Sequence, residues 1–364
     1  MPFVRPLLGN EEAEAVAQVV RSGWLSQGER VAEFEQKFAQ YAGASEAVAV
    51  ASGTAALHMA MIVAGVGPGD EVIVPSFTFA ATANAVLFQG AIPVFADIDA
   101  STFNISVEDV SRRITPRTRA IVPVHYAGQM ADVAGIVGIA RKHGLVVIED
   151  AAEAHGATYN DRHAGLFGDM AIFSFTPIKS MTTGEGGIII TDNREYVDRL
   201  KILRNHGMDA PYHHIALGYN YRMTEMQAAL GLVQLGRLDG VLHRKKEIAE
   251  YYNSRLNSEG ILLPAIAPTT TRHAYMLYTV RVPATRRDAV VAKLTEKGVE
   301  AKSTYFPPVH LQPYYRQRFG FKEGTLPITE EVAKQVISLP VSATLSDDEV
   351  EYVARSFVEI LQRQ

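Results

Sequence analysis

Two charged side chains in this sequence lie in surroundings that favour chemistry over simple solvation. Lys179 lies in the segment FSFTPIKSMTTGEGG at 173–187, after a strand-like run and before a glycine-containing turn. A lone lysine in a loop is ordinarily exposed, but one held beside glycines can be desolvated, which keeps its amine available for a Schiff base. Asp150 ends the strand-like run LVVIED at 145–150. Because open α/β sheets bind ligands at the carboxyl ends of their strands, these two charges could flank one cofactor, although a helix N-cap role for Asp150 remains equally open.

A run of small residues after the first strand predicts an anion site. Gly53, Thr54 and Ala55 follow Ser52 where a helix-like stretch begins, and the exposed amides of a helix start can bind phosphate. An ordinary Ser/Thr N-cap explains the same residues when they are taken alone. The G-x-G at 65–67 follows a helix instead of a strand, so it does not meet the structural test for a dinucleotide fingerprint.

The elements that must position these residues follow an alternating pattern. Strand-like runs occur at 47–50, 71–75, 92–97, 119–124 and 145–150, with helix-like stretches between them, and two more runs at 171–175 and 186–191 are joined by a polar loop. This rhythm predicts an α/β fold with a mostly parallel central sheet and helices on both faces. From about residue 237 the pattern becomes α+β, so we predict a large domain at 1–240 and a smaller C-terminal domain at 241–364.

Composition excludes several classes of protein. A chain of 364 residues with net charge -5 is a poor candidate for a protein that binds a phosphate backbone. The absence of cysteine removes disulfide and cysteine-metal frameworks and favours a cytoplasmic location. Two long uncharged stretches, 47–69 and 72–96, are interrupted by glycine, proline and polar residues, so no membrane association is predicted, and the N-terminus does not resemble a secretory signal.

Several motifs, read in order, resemble those of the DegT/StrS family of nucleotide-sugar aminotransferases. They are GTAA at 53–56, PSFTFAATAN at 75–84, EDAAEAHGA at 149–157, FSFTPIKSMTTGEGG at 173–187 and LGYNYRMTEMQAALGLVQL at 217–235. SGWLSQG at 22–28, VPVHYAGQMAD at 122–132, LRNHG at 203–207 and PPVHLQPYY at 307–315 extend the likeness across nearly the whole chain. The resemblance implies a fold-type-I pyridoxal 5'-phosphate (PLP) transferase that works as a homodimer with active sites at the subunit interface.

The resemblance also implies roles for individual residues around the cofactor. Lys179 matches the catalytic lysine that forms the Schiff base, and Asp150 matches the carboxylate that faces the pyridine nitrogen. Phe79 matches the aromatic residue stacked on the ring. Glu153 stands where relatives often carry Gln or His beside the phenolic oxygen, so its proton state stays open.

The phosphate contacts follow from the same motifs. Gly53, Thr54 and Ala55 match the segment whose amides bind the phosphate, Ser174 adds a hydroxyl, and Asn220 matches a residue that reaches in from the partner subunit.

Four further residues are predicted to contact the substrate. Trp24 and Ser26 belong to the SGWLSQG segment, and Tyr305 and His310 lie in the YFPPVHLQPYY segment. For Tyr305 and His310, domain packing is an equally good interpretation. The histidines of the chain show no metal-ligand spacing, so no metal is predicted.

The resemblance therefore implies a transaminase that moves an amino group from L-glutamate onto the keto carbon of a nucleotide-linked sugar. The SGWLSQG and VHYAG segments look more like relatives acting at carbon 4 of 4-keto-6-deoxy sugars than like those acting at carbon 3. Amination of a 3-keto sugar, and a sensor that keeps the cofactor pocket without turnover, are the alternatives. Lys179 argues against a related sugar dehydratase, in which histidine replaces the Schiff-base lysine.

Overall fold

The computed structural model describes residues 1–257 and 260–362. A seven-stranded sheet lies at the centre, and shorter strands form three small sheets. The strands are β1 Glu46–Val50, β2 Glu71–Pro75, β3 Ile92–Ala96, β4 Thr118–Ile121, β5 Val146–Asp150, β6 Thr158–Tyr159, β7 Arg162–His163, β8 Met170–Ser174, β9 Gly187–Thr191, β10 Met208–Ala210, β11 His213–His214, β12 Thr270–Arg272, β13 Tyr278–Arg281 and β14 Val336–Leu339.

The central sheet has the order β1-β9-β8-β5-β4-β2-β3. Neighbouring strands from β8 to β3 are parallel, whereas β9 is antiparallel to both of its neighbours, β1 and β8. The predicted mostly parallel sheet is confirmed. The loop between β8 and β9 contains no helix and returns as a hairpin, whereas parallel neighbours are usually joined by a crossover that contains a helix.

Helices connect and cover these strands. They are α1 Asn10–Ser22, α2 Glu29–Ala42, α3 Gly53–Val63, α4 Ala81–Phe88, α5 Val107–Arg113, α6 Val133–His143, α7 Arg194–Arg204, α8 Glu225–Arg255, α9 Ala284–Glu296, α10 Pro313–Phe319, α11 Pro327–Gln335 and α12 Asp347–Gln362. Side chains of Ser52, Ser106 and Asp132 cap the N-termini of α3, α5 and α6, which fixes where these helices begin. Within residues 1–257 and 260–362, no helix has both the length and the apolar character needed to cross a bilayer.

Alternation along β5 separates two cores on the two faces of the sheet. Val147 packs into one hydrophobic cluster with residues of α2, α6 and α8, and Ile148 packs into the other with residues of α3 and α4. Successive strand side chains point to opposite faces, so the almost continuously apolar strands are those of a sheet covered on both sides. The same alternation separates the directions of Glu149 and Asp150 at the carboxyl end.

A third hydrophobic cluster lies in the C-terminal part and joins the end of α8 to α9, α12, β13 and β14. Helix α8 is longer than the predicted helix at 244–256, because a capping box between Thr224 and Gln227 starts it at Glu225. It therefore runs through the predicted boundary between residues 240 and 241, which stays a prediction.

Candidate active site

The residues with candidate chemistry meet at the carboxyl edge of the central sheet. Asp150 is the last residue of β5, and Ser174 is the last residue of the neighbouring strand β8. Lys179 follows in the loop of the β8–β9 hairpin, with its backbone N–H bonded to the carbonyl of Thr176 at 3.0 Å. Gly53 begins α3 directly beyond β1. The topology thus brings together segments separated by more than a hundred residues of sequence.

The start of α3 and the end of β8 form one cradle for an anion. The Ser52 hydroxyl accepts the Ala55 N–H at 3.1 Å. A Cβ at Gly53 would lie 2.7 Å from the Ser174 Cβ, so glycine is what allows the first turn of the helix to reach the Ser174 side chain. Likewise, a Cβ at Gly187 would lie 2.5 Å from the Ser52 carbonyl oxygen. Backbone amides at a helix start beside a hydroxyl form a site that suits a phosphate group.

Asp150 is a buried carboxylate, only 4% exposed, that has hydrogen bonds on both oxygens. The Thr82 hydroxyl donates to Oδ2 at 2.8 Å, and the Ala152 N–H donates to Oδ1 at 3.2 Å. Burial nevertheless raises the pKa of Asp150, because these two donors do not replace the lost water. A cationic N–H group placed against it would stabilise the ionised form. Thr82 was missed by sequence analysis, although its position in PSFTFAATAN, three residues after Phe79, was a usable signal.

Lys179 and Glu153 face each other across the site. The Lys179 side chain is 10% exposed, and its Nζ lies 3.4 Å from Glu153 Oε1. The same oxygen accepts the Tyr305 hydroxyl at 2.6 Å, and Glu153 Oε2 accepts the Ala127 N–H at 2.7 Å. The buried Glu153 carboxylate therefore has three donors around it, and Lys179 is the most distant of them.

These residues fit the chemical groups of PLP. The cradle of Gly53 and Ser174 suits its phosphate, Asp150 suits its ring nitrogen, and Lys179 offers an amine for its aldehyde. Phe79 is 66% exposed, although large aromatic side chains are usually buried, and this leaves a ring face open for stacking.

The structure does not bring the other predicted site residues to Lys179. Trp24 is 64% exposed and lines a separate cleft with Arg30 and Glu225, and Ser26 lies in the exposed loop beside it. Asn220 is exposed and pairs with the backbone of Asn205. Within the part of the chain that the structure describes, no hydrogen bond joins these predicted residues to Lys179, Asp150 or Glu153.

His310 is fully buried in a hydrogen-bonded network. Its Nδ1 is 2.7 Å from the Ser76 hydroxyl, and its Nε2 is 3.2 Å from Glu330 Oε1. Glu330 also accepts the N–H groups of Gly324 and Leu326. This geometry favours the packing interpretation of His310 over substrate contact.

A buried lysine close to Lys179 was missed by sequence analysis. Lys245 is 6% exposed, and its Nζ donates to the Ser180 hydroxyl at 3.3 Å. It lines the same small cavity as Lys179, and burial together with the Lys179 charge lowers the pKa of Lys245 to about 8. The run HRKK at 243–246 is typical of a solvated helix face. Lys245 nevertheless continues the helical spacing of three buried residues, Leu238, Val241 and Leu242, and this spacing was the signal for its burial.

We expect Lys245→Met to raise the free energy of unfolding of the cofactor-free chain at pH 7. The pKa of Lys245 is about 8 in the folded chain and 10.5 in the unfolded chain. Below pH 8 Lys245 is charged in both states, so burying the charge lowers the free energy of unfolding by its full amount. At ~1.4 kcal/mol per pH unit of pKa difference, the gain should be roughly 3–4 kcal/mol. Since stability of the wild type rises between these two pKa values, urea unfolding at pH 9.5 should show a smaller gain.

Lys246→Met is the matched control, because this neighbouring side chain is 61% exposed. It should change stability by no more than about 0.5 kcal/mol at either pH. A gain for Lys245→Met that is equal at pH 7 and pH 9.5 would contradict the assignment of a buried cation.

Comparisons with known proteins agree with this geometry. The model of the DegT/DnrJ/EryC1/StrS aminotransferase family matches residues 6–358. The spore coat polysaccharide biosynthesis protein SpsC of Bacillus subtilis (strain 168) is 41% identical over 379 residues, which cover 100% of this chain and 97% of SpsC. The GDP-perosamine synthase of Caulobacter vibrioides is 41% identical over 364 residues, covering 98% and 97% of the two chains. The PLP-form of Spr1654 from Streptococcus pneumoniae superimposes with a TM-score of 0.95 at 30% identity, covering 100% of this chain and 99% of that one.

A family match over nearly the whole chain and structural agreement at this level confirm the predicted fold class, enzyme class and cofactor. The chain belongs to the DegT/DnrJ/EryC1/StrS aminotransferase family and is a PLP-dependent sugar aminotransferase.

Proposed function

We propose that this enzyme transfers an amino group from L-glutamate to carbon 4 of a nucleotide-linked 4-keto-6-deoxy sugar. The observation that carries the proposal is the meeting of Lys179, Glu153 and buried Asp150 at one edge of the sheet. Such a cluster suits reactions that need an amine nucleophile, a proton carrier and a fixed negative charge together. The cytoplasmic location expected from the cysteine-free sequence is part of the same proposal.

Bound PLP supplies an aldehyde that combines with amines and a ring that withdraws electrons from the attached carbon. In this proposal Lys179 Nζ would be the amine that holds this aldehyde, and a substrate amine would take its place. The released Lys179 amine then moves a proton at Nζ as general acid and base. Asp150 would favour a proton on the ring nitrogen through charge pairing, and Phe79 would cover one ring face.

Phosphate binding in this proposal depends on four residues of the described cradle. Amides of Gly53, Thr54 and Ala55 and the Ser174 hydroxyl would bind the anion, and the anion would share the Ala55 N–H with the Ser52 hydroxyl that accepts it. The position of the cradle is fixed by the close packing of Gly53 against Ser174.

We further propose that the active unit is a homodimer in which Asn220 of one chain completes the phosphate site of the other. Support comes from the chain segment around β10 and β11. Tyr212 is 94% exposed and Leu217 is 83% exposed, which is unusual for large apolar side chains and leaves them available to a second copy. Asn220 follows this segment directly and is itself exposed.

The preference for carbon 4 rests on the SGWLSQG and VHYAG segments. The GDP-perosamine synthase of Caulobacter vibrioides, whose name states a GDP-linked product, supports a nucleotide-linked acceptor. Trp24 and Ser26 of the first segment lie on an exposed loop, where they could contact a substrate that extends from the site or across a subunit interface.

A panel of keto nucleotide sugars tests the proposal. The holoenzyme is incubated with L-glutamate and matched 3-keto and 4-keto sugars, and the new amine is located by mass and nuclear magnetic resonance. We expect amination of the 4-keto series, with lower turnover as well as lower affinity when the nucleotide is removed, because remote contacts help to hold the keto carbon in reacting geometry. Clear preference for 3-keto sugars would overturn the carbon assignment, and absence of any aminated sugar would overturn the proposed reaction.

A further inference from the structure

The Glu153 carboxylate is shared unequally among its three donors. Tyr305 and Ala127 make short hydrogen bonds of 2.6 and 2.7 Å, one to each oxygen, whereas Lys179 Nζ stays 3.4 Å away. A free ammonium–carboxylate pair usually closes to about 2.7–2.9 Å. Glu153 is 3% exposed, so solvent does not explain the longer distance to the only donor of the three that can carry a charge.

The two short bonds come from residues with unusual backbone conformations. Ala127 has φ 58° and Tyr305 has φ 63°, both in the left-handed region that disfavours residues with a Cβ. Such conformations persist where the surroundings hold them, and they cluster at functional sites. The Tyr305 ring is fixed by edge contacts with Phe77 and Tyr126, at centroid distances of 5.8 and 5.9 Å. Both donors are therefore aimed at Glu153 by rigid surroundings.

The Tyr305 hydroxyl acts as a permanent donor in this arrangement. Burial and the neighbouring Glu153 charge raise the pKa of Tyr305 well above its usual value, so the hydroxyl keeps its proton throughout the working pH range. Two other charged groups act on Lys179 from nearby elements, Lys245 on α8 and Asp150 on β5. Glu153 is the group in hydrogen-bond reach of Nζ, so its exact placement decides how tightly the amine is held.

We propose that Tyr305 is a positioning residue that, with the Ala127 N–H, holds the Glu153 carboxylate back from Lys179, so that the lysine is not trapped in a close ion pair. A close carboxylate favours the protonated form of a lysine, and an ammonium neither attacks an aldehyde nor accepts a proton. Tyr305 thus leaves the Lys179 amine free to react, while Glu153 stays close enough to orient it. The inference rests on the proposed function of Lys179 as the reacting amine, and it assigns Tyr305 a role other than substrate contact.

The reactivity of Lys179 in the full-length cofactor-free chain tests this role without any turnover. Trace labelling with acetic anhydride, with exposed Lys142 as the internal standard, gives the relative reactivity of Lys179 by peptide mass spectrometry. In Tyr305→Phe we expect Glu153 to close on Lys179 and labelling to slow by roughly three- to tenfold, the range for loss of one hydrogen bond. Glu153→Gln added to Tyr305→Phe should restore labelling, because the amide carries no charge. A structural loosening would instead speed the labelling of Lys179.

The matched control is Tyr126→Phe, which removes another buried hydroxyl of the same aromatic cluster. That hydroxyl pairs with Thr279 at 3.1 Å and does not bond Glu153, so Lys179 labelling should not change. In the holoenzyme, Tyr305→Phe should lower kcat with little change in the KM for the sugar. Unchanged or faster labelling would overturn the proposal even if the substrate panel succeeds, and a raised KM with unchanged labelling would assign Tyr305 to substrate contact.

Discussion

Lys179→Ala is expected to lower kcat by at least about 10³- to 10⁴-fold, the largest effect of any substitution considered. The alanine variant loses both the covalent attachment point and the proton carrier, and general acid–base catalysis alone contributes ~10²–10⁴-fold. Its fold should persist, since Lys179 lies in a hairpin loop that β8 and β9 fix from both ends. Steady-state kinetics with the acceptor identified by the panel measures the loss.

Borohydride reduction of the wild-type holoenzyme gives the complementary measurement. A pyridoxyl group should be found on the peptide that contains Lys179 and should be absent from the alanine variant. Lys142→Ala, at an exposed position of α6, serves as the control and should retain full activity. Attachment of the pyridoxyl group to another lysine would overturn the assignment.

Asp150→Asn should lower kcat/KM by roughly 10²- to 10⁴-fold and weaken cofactor binding. Removing one partner of a buried ion pair costs ~3–5 kcal/mol, because the other charge is left without compensation. Asparagine keeps the shape of the side chain, and its amide oxygen can accept the Ala152 N–H while its NH2 group donates to the Thr82 hydroxyl, so the loss reports on charge and not on packing. Cofactor affinity is measured by titration of the protein fluorescence.

The free energy of unfolding of the Asp150→Asn variant shows whether its loss of activity comes from misfolding. Burial raises the pKa of Asp150 above its ordinary value of 3.8, so the cost of ionising it in the folded chain builds up as the pH rises above 3.8 and is complete above the folded pKa. The cofactor-free Asp150→Asn variant should therefore be at least as stable as the wild type at pH 7. Asp198→Asn, whose side chain is 56% exposed, is the control for both measurements. Unchanged cofactor affinity in Asp150→Asn would show that Asp150 does not face the ring nitrogen.

Sequence patterns were sufficient for the central sheet because its strands are short apolar runs bounded by polar or glycine residues. Predicted and observed strands agree closely, as at 71–75 against β2 Glu71–Pro75. The candidate cluster was also accessible, since Asp150 and Lys179 follow neighbouring strands and the motifs around them are specific. Both depend on local sequence and on the general rule that ligands bind at the carboxyl ends of strands.

Contacts between distant segments were not accessible in the same way. The bond from Tyr305 to Glu153 joins residues 152 positions apart and depends on a left-handed backbone at Tyr305 that no sequence pattern indicates. For His310, substrate contact and domain packing were equally good predictions, and in the structure its two nitrogens face Ser76 and Glu330. The residue type alone does not decide whether a histidine lies at the substrate or in a buried hydrogen-bonded network. The packing of distant segments decides it.

The close approach of Gly187 to Ser52 has a consequence for how such an enzyme can change its substrate. Gly187 begins β9, at the far end of the hairpin that carries Lys179, and Ser52 caps the helix whose first turn forms the phosphate cradle. The backbone contact between Gly187 and Ser52 therefore fixes the distance between the phosphate cradle and Lys179. No side chain proposed to contact the sugar takes part in this contact. The start of α3 and the β8–β9 hairpin can therefore stay unchanged as one rigid unit during evolution. The exposed loops can meanwhile change in sequence to accept new sugars.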